Sequence, residues 1–184
     1  MDGTGRLRNW LALVAGMLAA LTGCAPSGRG LPPLQTVAKV DLQRYAGTWY
    51  EIASYPHRFQ AGCVATRAVY TLRADGSVDV SNECRKGALD GPLKSVTGKA
   101  RVVDAASNAK LEVSFFWPFW GGYWIIDLDP DYRWAVVGHP SRDYLWILSR
   151  TPTLDEALYQ QLLARLPAQG YDPARLNKTL QPNE

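Results

Sequence analysis

A repeated pattern of short strand-like runs separated by turn residues, between residues 48 and 149, constrains the fold more than any other feature. The runs are rich in β-branched and aromatic residues, and Asp75-Gly76 is a strong signal for a tight hairpin turn. The pattern predicts strands over 48–55, 64–73, 77–84, 94–103, 110–117, 122–129, 132–138 and 143–149. Because a sheet of this kind removes its edges by closing, we expect an all-β protein with an eight-stranded up-and-down antiparallel barrel.

One helix is predicted after the last strand, and a single helical turn at 41–45 before the first. Thr153 and Glu156 have the spacing of a capping box, in which each side chain satisfies a free backbone amide. The apolar face consists of residues at four-residue spacing, Leu154, Leu158, Leu162 and Leu166. An amphipathic helix here must pack outside the barrel, and strand 132–138, which is apolar on both faces, is the expected surface beneath it.

Residues 1–23 have the pattern of a lipoprotein signal peptide. Arg6 and Arg8 precede an apolar run at 10–21, which is too short for a comfortable membrane span. The run ends in Leu21-Thr22-Gly23-Cys24, which resembles the bacterial lipobox, where the cysteine thiol is lipidated and the signal is cut before it. An ordinary signal peptide with a chance cysteine is the alternative.

The resemblance implies that Cys24 becomes an acylated first residue. Ala25, rather than Asp, follows it, and in Gram-negative lipoproteins this implies sorting to the outer membrane. Residues 24–36 are rich in Gly and Pro, as in a flexible tether, and 37–184 form the expected folded domain.

Composition and charge exclude several classes of function. The net charge of +3 is too small to indicate nucleic-acid binding. The only histidines, His57 and His139, lie beside prolines, and no spacing for zinc or phosphate-loop motif occurs. We therefore expect no metal, no cofactor and no enzymatic activity; a reactive Cys63 thiol is the best enzymatic alternative.

Cys63 and Cys84 are expected to form a disulfide. Cys63 begins the second strand and Cys84 ends the third, so the hairpin brings them near each other, although not in strict register. A bulge or a position at the strand ends is needed. Export favours the bond, and two free thiols are the alternative.

Three motifs in order resemble those of the lipocalin family. They are Gly47-Thr48-Trp49-Tyr50-Glu51, then Asp129-Pro130-Asp131-Tyr132 followed by Trp134-Ala135-Val136, and finally Arg150. Pro130 stands where a Thr is common. Residues 40–182 resemble the bacterial lipocalins in particular, which are outer-membrane lipoproteins related to apolipoprotein D and plant temperature-induced lipocalins. The resemblance implies structural roles for Gly47, Trp49, Asp131, Tyr132 and Arg150, with the Arg150 guanidinium over the Trp49 indole at the closed end of the barrel.

Strand alternation then predicts the side chains that face a ligand inside the barrel. They are Ala68, Tyr70, Leu72, Val113, Phe115, Tyr144 and Trp146, and the resemblance to other lipocalins implies that Tyr123 and Ile125 join them. Trp117 shares the parity of Phe115, and Trp124 is the alternative to the pair at 123 and 125. Glu51 shares the parity of Trp49, which is costly inside an apolar barrel unless the carboxylate lies at a wet point or a bulge reverses the parity.

The function implied by the resemblance is an outer-membrane-anchored lipocalin that binds, stores or transports an amphipathic lipid for envelope maintenance. Fatty acids and lysophospholipids suit the apolar wall, and a heavy aromatic load of 7 Trp, 9 Tyr and 4 Phe is typical of ligand pockets as well as cores. The aromatic segment 115–122 is expected to touch lipid, contact a second copy in a homodimer, cover the pocket or pack locally. The alternatives are a lipid- or isoprenoid-modifying enzyme that uses Cys63, and an envelope interaction protein with a filled barrel.

Overall fold

The computed structural model describes residues 30–182, so the predicted signal peptide and Cys24 lie outside the described residues. The strands are β1 Gly47–Ser54, β2 Cys63–Leu72, β3 Val78–Lys86, β4 Leu93–Val102, β5 Lys110–Phe116, β6 Phe119–Leu128, β7 Trp134–Gly138, β8 Leu145–Ser149 and β9 Asn177–Lys178. The α-helices are α1 Leu42–Tyr45 and α2 Glu156–Arg165, with short 3-10 turns at Arg58–Gln60, Leu166–Gln169 and Pro173–Arg175.

Strands β1 to β8 close into the predicted antiparallel barrel. Each strand pairs with the next in sequence, and β1 closes the ring by pairing with both β2 and β8. Trp49 lies opposite Ala68 on one side, and Tyr50 lies opposite Ser149 on the other. The fold prediction is therefore confirmed, with β9 added as a short partner of β1.

The barrel has two different ends. Loops 55–62, 87–92, 117–118 and 139–144 lie at the end that we call the mouth, and loops 73–77, 103–109 and 129–133 lie at the closed end. Strand β6 begins at Phe119, earlier than predicted, because Phe119 pairs with Phe116 across a two-residue turn. Among residues 30–182, no helix is long and apolar enough to span a bilayer.

Helix α2 packs on the outer face of the barrel, as predicted. Its buried side chains Tyr159 and Leu162 belong to one core cluster with Trp134 and Val136 of β7. Ala135 and Val137, the alternate residues of β7, belong to the separate cluster inside the barrel. Strand β7 is therefore buried on both faces because the helix covers one of them.

The predicted capping box at the start of α2 is wrong. Asp155 is the N-cap, and its carboxylate accepts the backbone N–H of Leu158 at 2.9 Å. The Thr153 carbonyl instead accepts the hydroxyl of Thr151 at 2.8 Å. The helix begins later than expected because the Asp155 side chain, adjacent to the first turn, is a strong acceptor for its free amides.

The chain before α1 lies along the barrel and does not project from it. Leu34 is buried against the outer core, although it falls within the segment expected to be a tether. The backbone N–H of Val37 donates to the carbonyl of Ile125 at 3.0 Å, and that of Val40 donates to Ser107 at 2.7 Å. The segment therefore runs from the mouth towards the closed end, where α1 begins.

Candidate ligand-binding site

Trp49 and Arg150 form the floor of the barrel. The Trp49 side chain is fully buried, and its indole N–H donates to the Tyr45 carbonyl at 2.8 Å. The Arg150 guanidinium lies 3.9 Å from the centre of that ring and donates to the Thr48 carbonyl at 2.8 Å. Gly47 has a positive φ of 93°, and a Cβ there would lie 3.4 Å from the Arg150 guanidinium. These contacts close one end and exclude a ligand from it.

The second motif supports the floor from beside it. The Tyr132 hydroxyl accepts the backbone N–H of Asp41 at 2.8 Å, so it holds the start of α1. Asp131, expected to be structural, is three-quarters exposed, whereas Asp129 is buried and accepts three hydrogen bonds from Arg133. Sequence reasoning missed the role of Asp129 because the parity of a turn cannot be read from strand alternation.

Three tyrosine hydroxyls meet above the floor. The hydroxyls of Tyr45 and Tyr123 lie 2.7 Å apart, and the Tyr70 hydroxyl donates to that of Tyr123 at 3.0 Å. Burial raises the pKa of Tyr70 to about 12 and raises the pKa values of Tyr45 and Tyr123 well above their ordinary value. The cluster is therefore neutral and offers the interior a few hydrogen-bonding groups without charge.

A cavity of about 20 Å³ lies beside this cluster. Its lining residues come from α1 and from strands β2 to β6: Leu42, Tyr45, Ala46, Tyr70, Leu72, Val78, Ala100, Leu111, Val113 and Tyr123. A space of this size holds one water-sized group, so a larger ligand requires neighbouring side chains to move.

The raised tyrosine pKa values predict a loss of stability at alkaline pH. Tyr70 of the unfolded chain ionises at about pH 10, whereas in the folded chain its pKa is about 12. The folded state then keeps a proton that the unfolded state loses. The stabilisation is complete below about pH 10, and it is lost as the pH rises through the pKa of Tyr70 in the folded chain. Urea midpoints measured against pH should fall over this interval.

The variant Tyr70→Phe is the control for this prediction, because it has no proton to lose at that position. Its urea midpoint should fall less steeply with pH than that of the unaltered protein. Identical slopes for the two proteins would contradict the assignment.

Almost all of the predicted lining residues lie inside the barrel. The interior cluster contains Ala68, Tyr70, Leu72, Val113, Phe115, Tyr123, Ile125 and Trp146. Tyr144 lies at the mouth, where its ring stacks on Trp146 at 6.0 Å. Trp124, the alternative in β6, packs instead against the outer core, with the Lys110 ammonium 4.7 Å from its ring centre. That a ligand contacts the interior set stays a prediction.

The expectation that Trp117 faces inward is wrong, because its side chain is 85% exposed. The register of β5 on β6 shifts between Val113 and Phe116, so the alternation does not extend to the hairpin tip. Sequence reasoning also missed Tyr45, which enters the interior from α1 and therefore has no strand period to reveal it.

The buried Glu51 carboxylate is satisfied by polar side chains. It accepts hydrogen bonds from Ser54 at 3.0 Å, Gln60 at 2.9 Å and Thr179 at 2.5 Å. The pairing of β1 with β8 shifts between Glu51 and Ala53, so a bulge does occur in this strand. The C-terminal segment thus supplies a partner that the parity of β1 alone cannot indicate.

Aromatic rings surround His57 near the mouth. Its ring centre lies 5.8 Å from that of Trp146 and 6.0 Å from that of Tyr144. Burial lowers the pKa of His57, although the charge of Glu51 and the neighbouring Gln60 side chain oppose this effect. Neutral His57 therefore adds a mostly aromatic surface at the entrance.

Cys63 and Cys84 are joined by the predicted disulfide, with their Cα atoms 5.5 Å apart. Cys63 lies opposite Lys86 in the ladder, not opposite Cys84, and β2 has a register shift between Val64 and Arg67. The expected bulge and strand-end position are both present. With its thiol in this bond, Cys63 is not available as the nucleophile of the enzymatic alternative. Among the described residues, no cluster of three or more His, Cys, Asp or Glu could hold a metal ion.

A closed eight-stranded barrel with a tryptophan–arginine floor and a helix on its outer face defines a calyx-type binding protein. The family model of the lipocalin-like domain matches residues 40–181. The chain belongs to the lipocalin family.

Relatives from bacteria and plants are similar over most of the chain. The outer membrane lipoprotein Blc of Escherichia coli K12 is 44% identical over 94% of this chain and 97% of its own length. Temperature-induced lipocalin-1 of Arabidopsis thaliana is 43% identical over 80% of this chain and 83% of its own. Insecticyanin from the tobacco hornworm Manduca sexta shares the fold, with a TM-score of 0.65 at 20% identity over 81% of this chain and 85% of its own.

Proposed function

We propose that this chain is an outer-membrane lipoprotein whose barrel binds an amphipathic lipid and stores or transports it for envelope maintenance. The observation that carries the proposal is an apolar interior that runs from the floor to the mouth, interrupted by a few neutral hydroxyls. Its family consists in general of binding and transport proteins, and several bacterial relatives are named outer membrane lipoproteins.

The interior chemistry supports a fatty acid or a lysophospholipid as the ligand. Each methylene group of an acyl chain that leaves water contributes about 0.8 kcal/mol. The polar head would lie at the mouth, where Glu51, His57 and Tyr144 provide polar groups next to aromatic rings. Entry of the acyl chain would displace partly buried side chains such as Phe115 and Trp146.

The proposed anchor is Cys24, acylated after removal of residues 1–23. Two or more acyl chains hold a protein stably on a membrane, whereas one chain holds it weakly. Residues 24–29 would then link the anchor to the described domain.

Filling the interior is expected to abolish lipid binding. We expect Val113→Trp, which adds bulk beside the cavity, to lose the lipid that co-purifies with the unaltered protein. Ser114→Trp is the matched control, because Ser114 lies next to Val113, pairs with Lys99 of β4 and does not line the cavity, so its substitution should leave binding unchanged. Native mass spectrometry of protein purified from cell envelopes and incubated with extracted lipid measures the occupancy.

Overpacking can itself destabilise a barrel by about 1–3 kcal/mol, so both variants are compared only after circular dichroism shows a folded state. Equal occupancy in the two variants would contradict an interior site. The small cavity favours one second candidate, an envelope interaction protein with a filled barrel. If no lipid is bound to the unaltered protein or to either variant, the result favours that second candidate.

A further inference from the structure

The two ends of the barrel differ sharply in polarity. Large exposed apolar side chains from three separate mouth loops and their flanking strands form a surface that we call the mouth rim: Phe59, Leu89, Leu93, Phe116, Trp117 and Phe119. Phe59 is 81% exposed and Phe119 is 75% exposed. In the described closed-end loops, Val103 is the one exposed large apolar side chain, and it is only 48% exposed. The remaining exposed side chains there include Arg73, Asp75, Asp131 and Arg133.

Such a concentration of exposed aromatic side chains marks a surface that contacts something apolar. Trp and Phe on the apolar side of an interfacial surface bury into the boundary between headgroups and acyl chains. The charges on and beside the same loops do not oppose an anionic membrane, because Arg58, Lys86 and Lys94 outnumber Asp90 and Asp143. The rim therefore has the composition of a membrane-contacting surface.

The start of the described chain lies at this same end. The Arg142 guanidinium, in the β7–β8 loop at the mouth, donates to the Pro32 carbonyl at 2.6 Å. Leu31 lies against Gly170, and a Cβ on that glycine would be 3.4 Å from its side chain. From here the chain runs away from the mouth, through Val37 to Val40. Whatever precedes Gly30 therefore joins the domain on the mouth side.

The length of chain before Gly30 limits where an anchor at Cys24 can be. Gly30 is six positions after Cys24, and a fully extended chain over that interval spans about 20 Å. A strand of 10 residues such as β4 is about 33 Å long, or about 25 Å along the axis of a barrel with tilted strands. From a start at the mouth, even a fully extended chain of this length falls short of the plane of the closed end, so the anchor stays on the mouth side of that plane.

We propose that the mouth rim lies in the interface of the phospholipid bilayer that holds Cys24, so that the barrel opens towards the membrane. The proposal rests on the proposed function for its anchor and its lipid ligand. A lipid could then pass between the bilayer and the interior without crossing water. A second copy of this chain is less suited to the rim, because the apolar side chains come from separate loops around an opening. The position of the anchor is an independent argument for the membrane.

The test uses the mature acylated protein in vesicles of phosphatidylethanolamine and phosphatidylglycerol. Two variants with one added cysteine each, Phe119→Cys at the rim and Asp75→Cys at the closed end, are labelled with the fluorophore NBD. Both positions are exposed, and the native Cys63 and Cys84 are protected in their disulfide. Phospholipid that carries a nitroxide in its acyl chain then reports contact by quenching. We expect quenching at position 119 to be several-fold stronger than at position 75.

Equal quenching at the two positions, or stronger quenching at 75, would overturn the proposal. So would self-quenching at 119 that rises with protein concentration while lipid quenching is absent, because a second copy would then cover the rim. Lipid occupancy of the same samples is measured by native mass spectrometry. Occupancy without quenching at 119 contradicts only the orientation, whereas quenching without occupancy supports the orientation and contradicts the lipid-carrier function.

Discussion

Replacing Trp49 by alanine is expected to lower the free energy of unfolding by about 3–5 kcal/mol, the usual cost of removing a fully buried large aromatic side chain. The substitution leaves a cavity at the floor of the barrel, and it removes the ring beneath the Arg150 guanidinium. It also leaves the Tyr45 carbonyl without the indole N–H that it accepts. The urea midpoint at neutral pH measures the effect.

Two controls separate the floor from a general effect of losing a tryptophan. Trp49→Phe keeps an apolar ring and should cost less than Trp49→Ala, because it loses the N–H and only part of the volume. Trp117→Ala removes an 85% exposed ring and should change stability in solution by no more than about 0.5 kcal/mol. An unchanged midpoint in Trp49→Ala would refute the structural role of this residue.

Replacing both Cys63 and Cys84 by serine is expected to cost about 3 kcal/mol. The bond links positions 21 residues apart, and a crosslink over a loop of this length restricts the unfolded chain by about that amount. It ties β2 to β3 near the mouth, where the bulge in β2 weakens the ladder between them. The urea midpoint of the double variant should therefore match that of the reduced native protein.

Reductant provides the internal control for this second prediction. Dithiothreitol should lower the midpoint of the native protein and leave that of the double variant unchanged. Alkylation of the denatured, non-reduced native protein should modify neither Cys63 nor Cys84. Modification of both would show free thiols and would contradict the bond.

Much of the barrel could be predicted because its information is local and repetitive. Alternation along β2 and β5 indicates that Tyr70 and Val113 face inward, since successive residues of a strand point to opposite faces. The motif residues Trp49 and Arg150, far apart in sequence, were placed together through resemblance to a family and not through any local signal.

The residues that were misplaced lie where alternation ends. Asp155, and not Thr153, is the N-cap of α2, because two polar residues separated by one position compete for this role and only the geometry of the first turn decides between them. Trp117 faces solvent because a register shift in β5 breaks the parity before the tip. Tyr45 reaches the interior of the barrel, and Thr179 reaches Glu51. Both residues come from segments outside the eight strands, so no strand pattern includes them.

The sequence by itself determined the class of fold, the two cysteines that pair, and most of the inward faces of the strands, because each depends on short-range alternation or on the position of turns. Only the tertiary structure decided how Glu51 is satisfied and on which side of the barrel residue 30 joins the domain. These features depend on contacts between residues up to 128 positions apart, and their partners are brought together only when the barrel closes.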